Sequence, residues 1–124
     1  MKHAAVRVTR RFVENLDAIE AFLHEANAEP EFEALLDDLF KEVIPALERF
    51  PDLGSDFFRR RPSSREAADL AATLRARLGS GTTLRERVRG DYLLLYSRRD
   101  HELHLLAIKH HRQLSFDFSE FWEF

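Results

Sequence analysis

The stretch Leu84-Arg85-Glu86-Arg87-Val88-Arg89-Gly90-Asp91-Tyr92-Leu93-Leu94-Leu95-Tyr96-Ser97-Arg98-Arg99-Asp100-His101-Glu102-Leu103-His104-Leu105-Leu106-Ala107-Ile108-Lys109 decides the fold. Leu84, Glu86 and Val88 alternate with Arg85, Arg87 and Arg89, the two-residue period of a strand. Gly90-Asp91 is a hairpin turn signal. The apolar run from Tyr92 to Ser97 is a second strand. Arg99-Asp100 turns the chain again, and Glu102 to Lys109, rich in Leu and Ile, is a third. Three consecutive strands joined by tight turns predict an antiparallel meander.

Upstream the period changes. Ala4, Val6 and Val8 alternate with Ala5, Arg7 and Thr9, predicting one more short strand with Thr9 as the N-cap of a helix. Phe12, Leu16, Ile19, Leu23 and Ala26 then form a helical apolar stripe. Asn27-Ala28-Glu29-Pro30 breaks it, and Pro30 suits the first turn of a new helix. Phe32, Leu35, Leu36, Leu39, Phe40, Val43, Ile44, Leu47 and Phe50 form a wider stripe. Pro45 inside it predicts a kink or a split. The two helices form a hairpin. Ser63-Ser64-Arg65-Glu66 matches a capping box for an added helix at about 63–79, closed by Gly79. The predicted fold is α+β: an antiparallel sheet of about four strands, the first strand plus the C-terminal meander, covered on one face by the N-terminal hairpin.

The 124 residues fit a single domain, 1–124. No apolar run is long enough for a membrane span, and no secretion signal is recognised at the N-terminus. Cysteine is absent, which excludes disulfides and thiol catalysis and fits a cytoplasmic location. The net charge of −3 conceals segregation. Residues 1–58 carry 6 Lys/Arg against 13 Asp/Glu, residues 59–112 carry 13 against 6, and the last twelve carry three acids and no base. A basic middle attracts nucleic acid or an acidic protein. A protein dependent on many phosphate contacts is usually basic overall, which this chain is not.

Lys109-His110-His111-Arg112, at the end of the last strand, is the foremost candidate site. His titrates near neutrality and shuttles protons, while Lys and Arg hold phosphates or carboxylates. The plainer reading is a solvated strand end. Arg85, Arg87 and Arg89 share one face of their strand. With the hairpin on the opposite face, they are expected to line an open sheet surface suited to phosphate or carboxylate recognition; the alternative is an ordinary polar face. Tyr92 and Tyr96 share one side of the central strand, either as base-stacking or phosphate-positioning groups or, more plainly, as half-buried aromatics with bonded hydroxyls. His101-Glu102-Leu103-His104 lacks the i, i+4 helical spacing of a zinc site, so no metal and no cofactor is expected. The tail, Ser115-Phe116-Asp117-Phe118-Ser119-Glu120-Phe121-Trp122-Glu123-Phe124, alternates aromatic and acidic residues and is too apolar to be left in water.

Four pieces together carry a resemblance. They are Val6-Arg7-Val8-Thr9, Leu47-Glu48-Arg49-Phe50-Pro51-Asp52-Leu53-Gly54, Arg87-Val88-Arg89-Gly90-Asp91-Tyr92-Leu93-Leu94-Leu95-Tyr96, and Leu105-Leu106-Ala107-Ile108-Lys109-His110-His111-Arg112. In this combination the chain resembles the RelE/ParE superfamily of type II toxin–antitoxin toxins, its ParE-like branch above all. The resemblance covers nearly the whole chain except residues 57–82 and the tail. It implies a cytoplasmic toxin that arrests growth and a cognate antitoxin that neutralises it. ParE-like members inhibit DNA gyrase and are not nucleases. RelE-like members cleave mRNA on the ribosome. On that second branch His110, Arg87 and Tyr96 take the roles of general acid/base, phosphate stabiliser and orienting or leaving-group donor, assisted by Lys109 and Arg112. On the first, Arg85, Arg87, Arg89, Lys109, His111 and Arg112 form a basic binding face. A third outcome is an inactive homologue. The oligomeric state stays open, with a dimer and a heterotetramer with antitoxin both compatible with the resemblance.

Overall fold

The computed structural model describes residues 4–56, 65–79 and 81–110. Strand β1 (Ala5–Val8) runs into helix α1 (Arg10–Glu25) through Thr9. Thr9 is extended and its Oγ1 accepts a hydrogen bond from the Phe12 N–H, as an N-cap requires. The same hydroxyl donates to the Leu105 carbonyl at 2.8 Å, so the cap also ties α1 to the sheet. At the other end Asn27 takes a left-handed conformation (φ 56°). The Asn27 and Ala28 N–H groups donate back to the carbonyls of His24 and Leu23, closing the last turn.

Helix α2 (Glu29–Asp38) starts with Pro30 in its first turn. It continues through a π turn at Leu39–Val43 into α3 (Ile44–Arg49). The expected break at Pro45 therefore takes a specific form. Proline has no N–H to donate, and its ring crowds the carbonyl one turn back. The widened turn immediately before it, in which the Ile44 N–H reaches the Leu39 carbonyl five residues earlier, takes up that misfit and lets the helix carry on.

After the two-residue strand β2 (Ser55–Asp56) the chain returns as α4 (Arg65–Leu78). Gly79, at φ +76°, donates its N–H to Arg75 and ends α4. The proposed cap at Ser63 and Ser64, the cluster members His111 and Arg112, and the aromatic tail lie outside the described residues. Strands β3 (Thr82–Arg89), β4 (Tyr92–Arg99) and β5 (Glu102–His110) form the expected meander.

The sheet has five strands in the order β1-β5-β4-β3-β2. The α+β architecture is the expected one, with two differences. First, β1 pairs with β5 in parallel, making the sheet mixed. Parallel neighbours need a long connection, and everything between β1 and β5, the helices together with strands β2 to β4, supplies it. Second, β2 adds a short fifth strand, antiparallel to β3.

Directly paired residues share a face. Tyr92, Leu94 and Tyr96 therefore face the same way as Ile108, Leu105 and Leu103. They meet Phe12, Ile19 and Leu23 of α1 and Leu35, Leu39, Val43 and Leu47 of the second helical arm in the main core. A bulge beside Leu106 then puts Leu106 and Ala107 together on the reverse side. There they join Leu84 and Leu95 under Leu78 at the end of α4. The triple Leu93-Leu94-Leu95, apolar on both sides, is the sequence mark of a strand covered on both faces.

Candidate binding face and cleft

The arginines of β3 do not occupy an open surface. Arg85 lies opposite Tyr96, Arg87 opposite Leu94 and Arg89 opposite Tyr92, so all three share the face that carries the helical hairpin. Because β3 lies near the sheet margin, long side chains there can reach around the hairpin's end. Acids on that arm receive them. Arg89 donates through Nε and Nη2 to both oxygens of Asp38 at 2.9 and 2.8 Å. That two-pronged bond holds the Asp38 carboxyl below its ordinary range, against the opposing effect of burial, and raises Arg89. Arg85 Nη1 donates to the Gly54 carbonyl at 2.5 Å, and its Nε lies 3.2 Å from Asp52 Oδ1. Asp52 also takes both its oxygens to Arg98 at 2.7 Å. Arg87, between the two, has a buried Nε without a hydrogen-bond partner.

Tyr96 is fully buried. Its hydroxyl donates to the Pro51 carbonyl at 2.8 Å and accepts the Gly54 N–H at 2.9 Å. Burial pushes this phenol up, partly offset by the Gly54 N–H. The segment from Leu47 to Gly54 thus has a structural explanation. Leu47 sits in the core, Pro51 and Gly54 clasp Tyr96, and Asp52 gathers two arginines. A Cβ on Gly54 would stand 2.7 Å from the Glu86 carbonyl oxygen and 2.9 Å from the Tyr96 ring and hydroxyl, so this approach needs glycine.

His110 lies elsewhere. It pairs with Tyr92 across β4 and β5, the rings edge to face at 5.4 Å. Four residues of strand, about 13 Å, separate Tyr92 from Tyr96. The residues His110, Arg87 and Tyr96 therefore spread along the sheet, with only Arg87 and Tyr96 near one another. Lys109 and His110 instead line a cleft of about 700 Å³ between α1 and the ends of β4 and β5. Its walls include Ile19, Phe22, Leu23 and Ile108, with Glu31, Asp91 and Tyr92 around them. Asn15 Oδ1 accepts the Ile108 N–H there, beyond the end of the shorter strand β1. Burial and the acids Glu31 and Asp91 raise the Tyr92 phenol.

Sequence reasoning did not find Asp38, Asp52 or the cleft. The two aspartates act across 51 and 33 residues of chain, which no local spacing reveals. Phe22 did carry a signal: it falls outside the α1 stripe, and it is 64% exposed.

The five-stranded mixed sheet under a two-armed helical cover is consistent with a RelE/ParE-like fold. Residues 6–115 match the family model of the ParE toxin of the type II toxin–antitoxin system parDE. The chain belongs to that family and is a toxin of the type II toxin–antitoxin kind. No curated protein matches it. No described helix is long and apolar enough to cross a membrane.

Proposed function

We propose that this toxin acts in the cytoplasm by holding a macromolecular target, with DNA gyrase the first candidate, and that a cognate antitoxin neutralises it. The observation that carries the reading is the burial of Tyr96. A phenol with both hydrogen-bonding positions taken by Pro51 and Gly54 is poorly placed to orient a 2′-hydroxyl or protonate a leaving group. The separation of His110 from Tyr96 supports it too. In this reading Arg85, Arg87, Arg89, Lys109, His111 and Arg112 contribute positive charge to contacts with target or antitoxin. Arg85 and Arg89 are already positioned by their acids, which offset part of their charge, and the net positive charge of residues 59–112 speeds encounter with an acidic partner.

The test is induction of the chain in a bacterial host, alone and with its neighbouring reading frame. His110→Ala is expected to remain growth-arresting, cellular mRNA to stay intact, and purified protein to inhibit gyrase supercoiling. Ribosome-dependent mRNA cleavage that disappears in His110→Ala would establish the nuclease instead. Full growth at high expression of soluble protein would mark an inactive homologue.

A further inference from the structure

The arginines of β3 share one face, and two of them have carboxylates of this chain. Arg89 holds both oxygens of Asp38. Arg85 lies 3.2 Å from Asp52, whose two oxygens also receive Arg98. Both acids are therefore engaged. Arg87 stands between them, opposite Leu94, near enough for its charge to act on Asp38 and on Tyr96. Among the described residues it nevertheless finds no hydrogen bond or ion pair, and its Nε is buried without a partner. A guanidinium nitrogen removed from water with nothing to donate to is unfavourable, and folded proteins rarely keep one. Arg87 as a whole is only partly buried, so a group from outside can reach it.

We propose that Arg87 is the docking point for a carboxylate on an acidic segment of a partner protein, the third carboxylate of a row whose other two places the chain fills itself. The planar fork of a guanidinium matches one carboxylate, and Arg89 with Asp38 shows that fork on the same face. Arg85, Arg87, Arg89 and Arg98 are set against Asp38 and Asp52 alone in these pairings, which leaves the face short of negative charge. A nucleic-acid backbone calls for several open cations in succession. Here the neighbours of Arg87 in the row are already paired, and the chain carries a net charge of −3. A single open fork suits a single carboxylate better than a run of phosphates. The inference deepens the reading of this face given above and rests on one premise of it, that the face meets a protein. It does not depend on what that protein does.

The test titrates a hexaglutamate peptide at low salt into the isotope-labelled full chain and follows the arginine Nε–H groups by nuclear magnetic resonance. The Arg87 Nε–H should shift saturably, and several-fold further than those of Arg85 and Arg89. Arg87→Met keeps the length of the side chain and removes its charge. It should weaken peptide binding about tenfold, the loss of one charged hydrogen-bonded contact. The melting temperature of this variant should not fall, since no bond within the chain is broken. Arg89→Met breaks the Asp38 pair and should lower it. Equal shifts at all three arginines, or none at Arg87, overturn the proposal. An oligothymidylate of the same charge that shifts Arg87 further than the peptide does so too, because it marks a phosphate site. A lower melting temperature in Arg87→Met is equally fatal, since Arg87 then serves the fold. These readouts are binding and stability, whereas the proposed toxicity is read by growth and supercoiling. A chain that never arrests growth can still show the Arg87 shift, so the two failures are distinguishable.

Discussion

Tyr92 and Tyr96 sit on one strand, one face and one sheet, four residues apart, yet they end in opposite circumstances. Tyr96 is sealed, its hydroxyl shared between Pro51 and Gly54. Tyr92 borders a cleft, its ring against His110 and its phenol near Glu31 and Asp91. The strand does not make this difference. The covering elements do, because the 50–54 segment closes over one tyrosine while the α1–α2 corner stops short of the other. A binding surface in this fold is therefore expected at the cleft end, and rigidity at the clasped end.

The sharpest way to break the comparison is at the clasp. Gly54→Ala puts a methyl against the Glu86 carbonyl and the Tyr96 hydroxyl, and should lower unfolding free energy by about 2–3 kcal/mol in urea titrations. A loss below about 0.5 kcal/mol would show that the clasp yields easily.

Next, Tyr96→Phe strands the Gly54 N–H and the Pro51 carbonyl, and should cost about 1–3 kcal/mol. Tyr92→Phe, at the open end, should cost less than about 0.5 kcal/mol. Equal losses would erase the distinction between the two ends. The phenol of Tyr96 adds a pH signature. Its pKa is raised on folding, so its contribution is complete below the unfolded value of 10.0 and is lost as pH rises through the folded one. Wild-type stability should accordingly fall above about pH 10 more steeply than that of Tyr96→Phe.

A smaller effect is expected at Asp38. Asp38→Asn removes a partly exposed two-pronged pair and should cost about 1 kcal/mol near neutral pH. The folded carboxyl is held below its unfolded value of 3.8, so its contribution is present above that pH and fades as pH falls through the lower folded value. The gap between wild type and variant should close in strong acid. A pH-independent gap would mean that the carboxylate charge is irrelevant to the pair.

These effects bear on how far the sequence alone could be read. The meander, the Thr9 cap, the α1 stripe and the disturbance at Pro45 follow from local periods and from residues with strong backbone preferences, and they were legible. The parallel docking of β1 was not, since strand direction depends on how the whole helical region crosses the sheet. The arginines of β3 show the limit most clearly. Their alternation fixed that they share a face, but not which face. That choice depends on Tyr96 and Leu94 being the inward residues of β4, and Leu93-Leu94-Leu95 is apolar on both sides and gives no preference. For the same reason Tyr96 was legible as a sheet aromatic with a bonded hydroxyl, while its partners Pro51 and Gly54, more than forty residues away, were not.

The pairing of β2 with β3 has a consequence for how this fold can vary. Ser55 and Asp56 lie against Glu86 and Arg85, so the two ends of the connection that carries α4 are held together by the sheet. Between fixed ends, the cost of additional chain grows only logarithmically, about 0.6 kcal/mol for each doubling of loop length. The α4 region is thus a natural port for grafted sequence. A lineage, or a protein engineer, can lengthen or shorten this connection while the arginine margin and the cleft keep their shape, provided an apolar side chain such as Leu78 still covers Leu84, Leu95, Leu106 and Ala107.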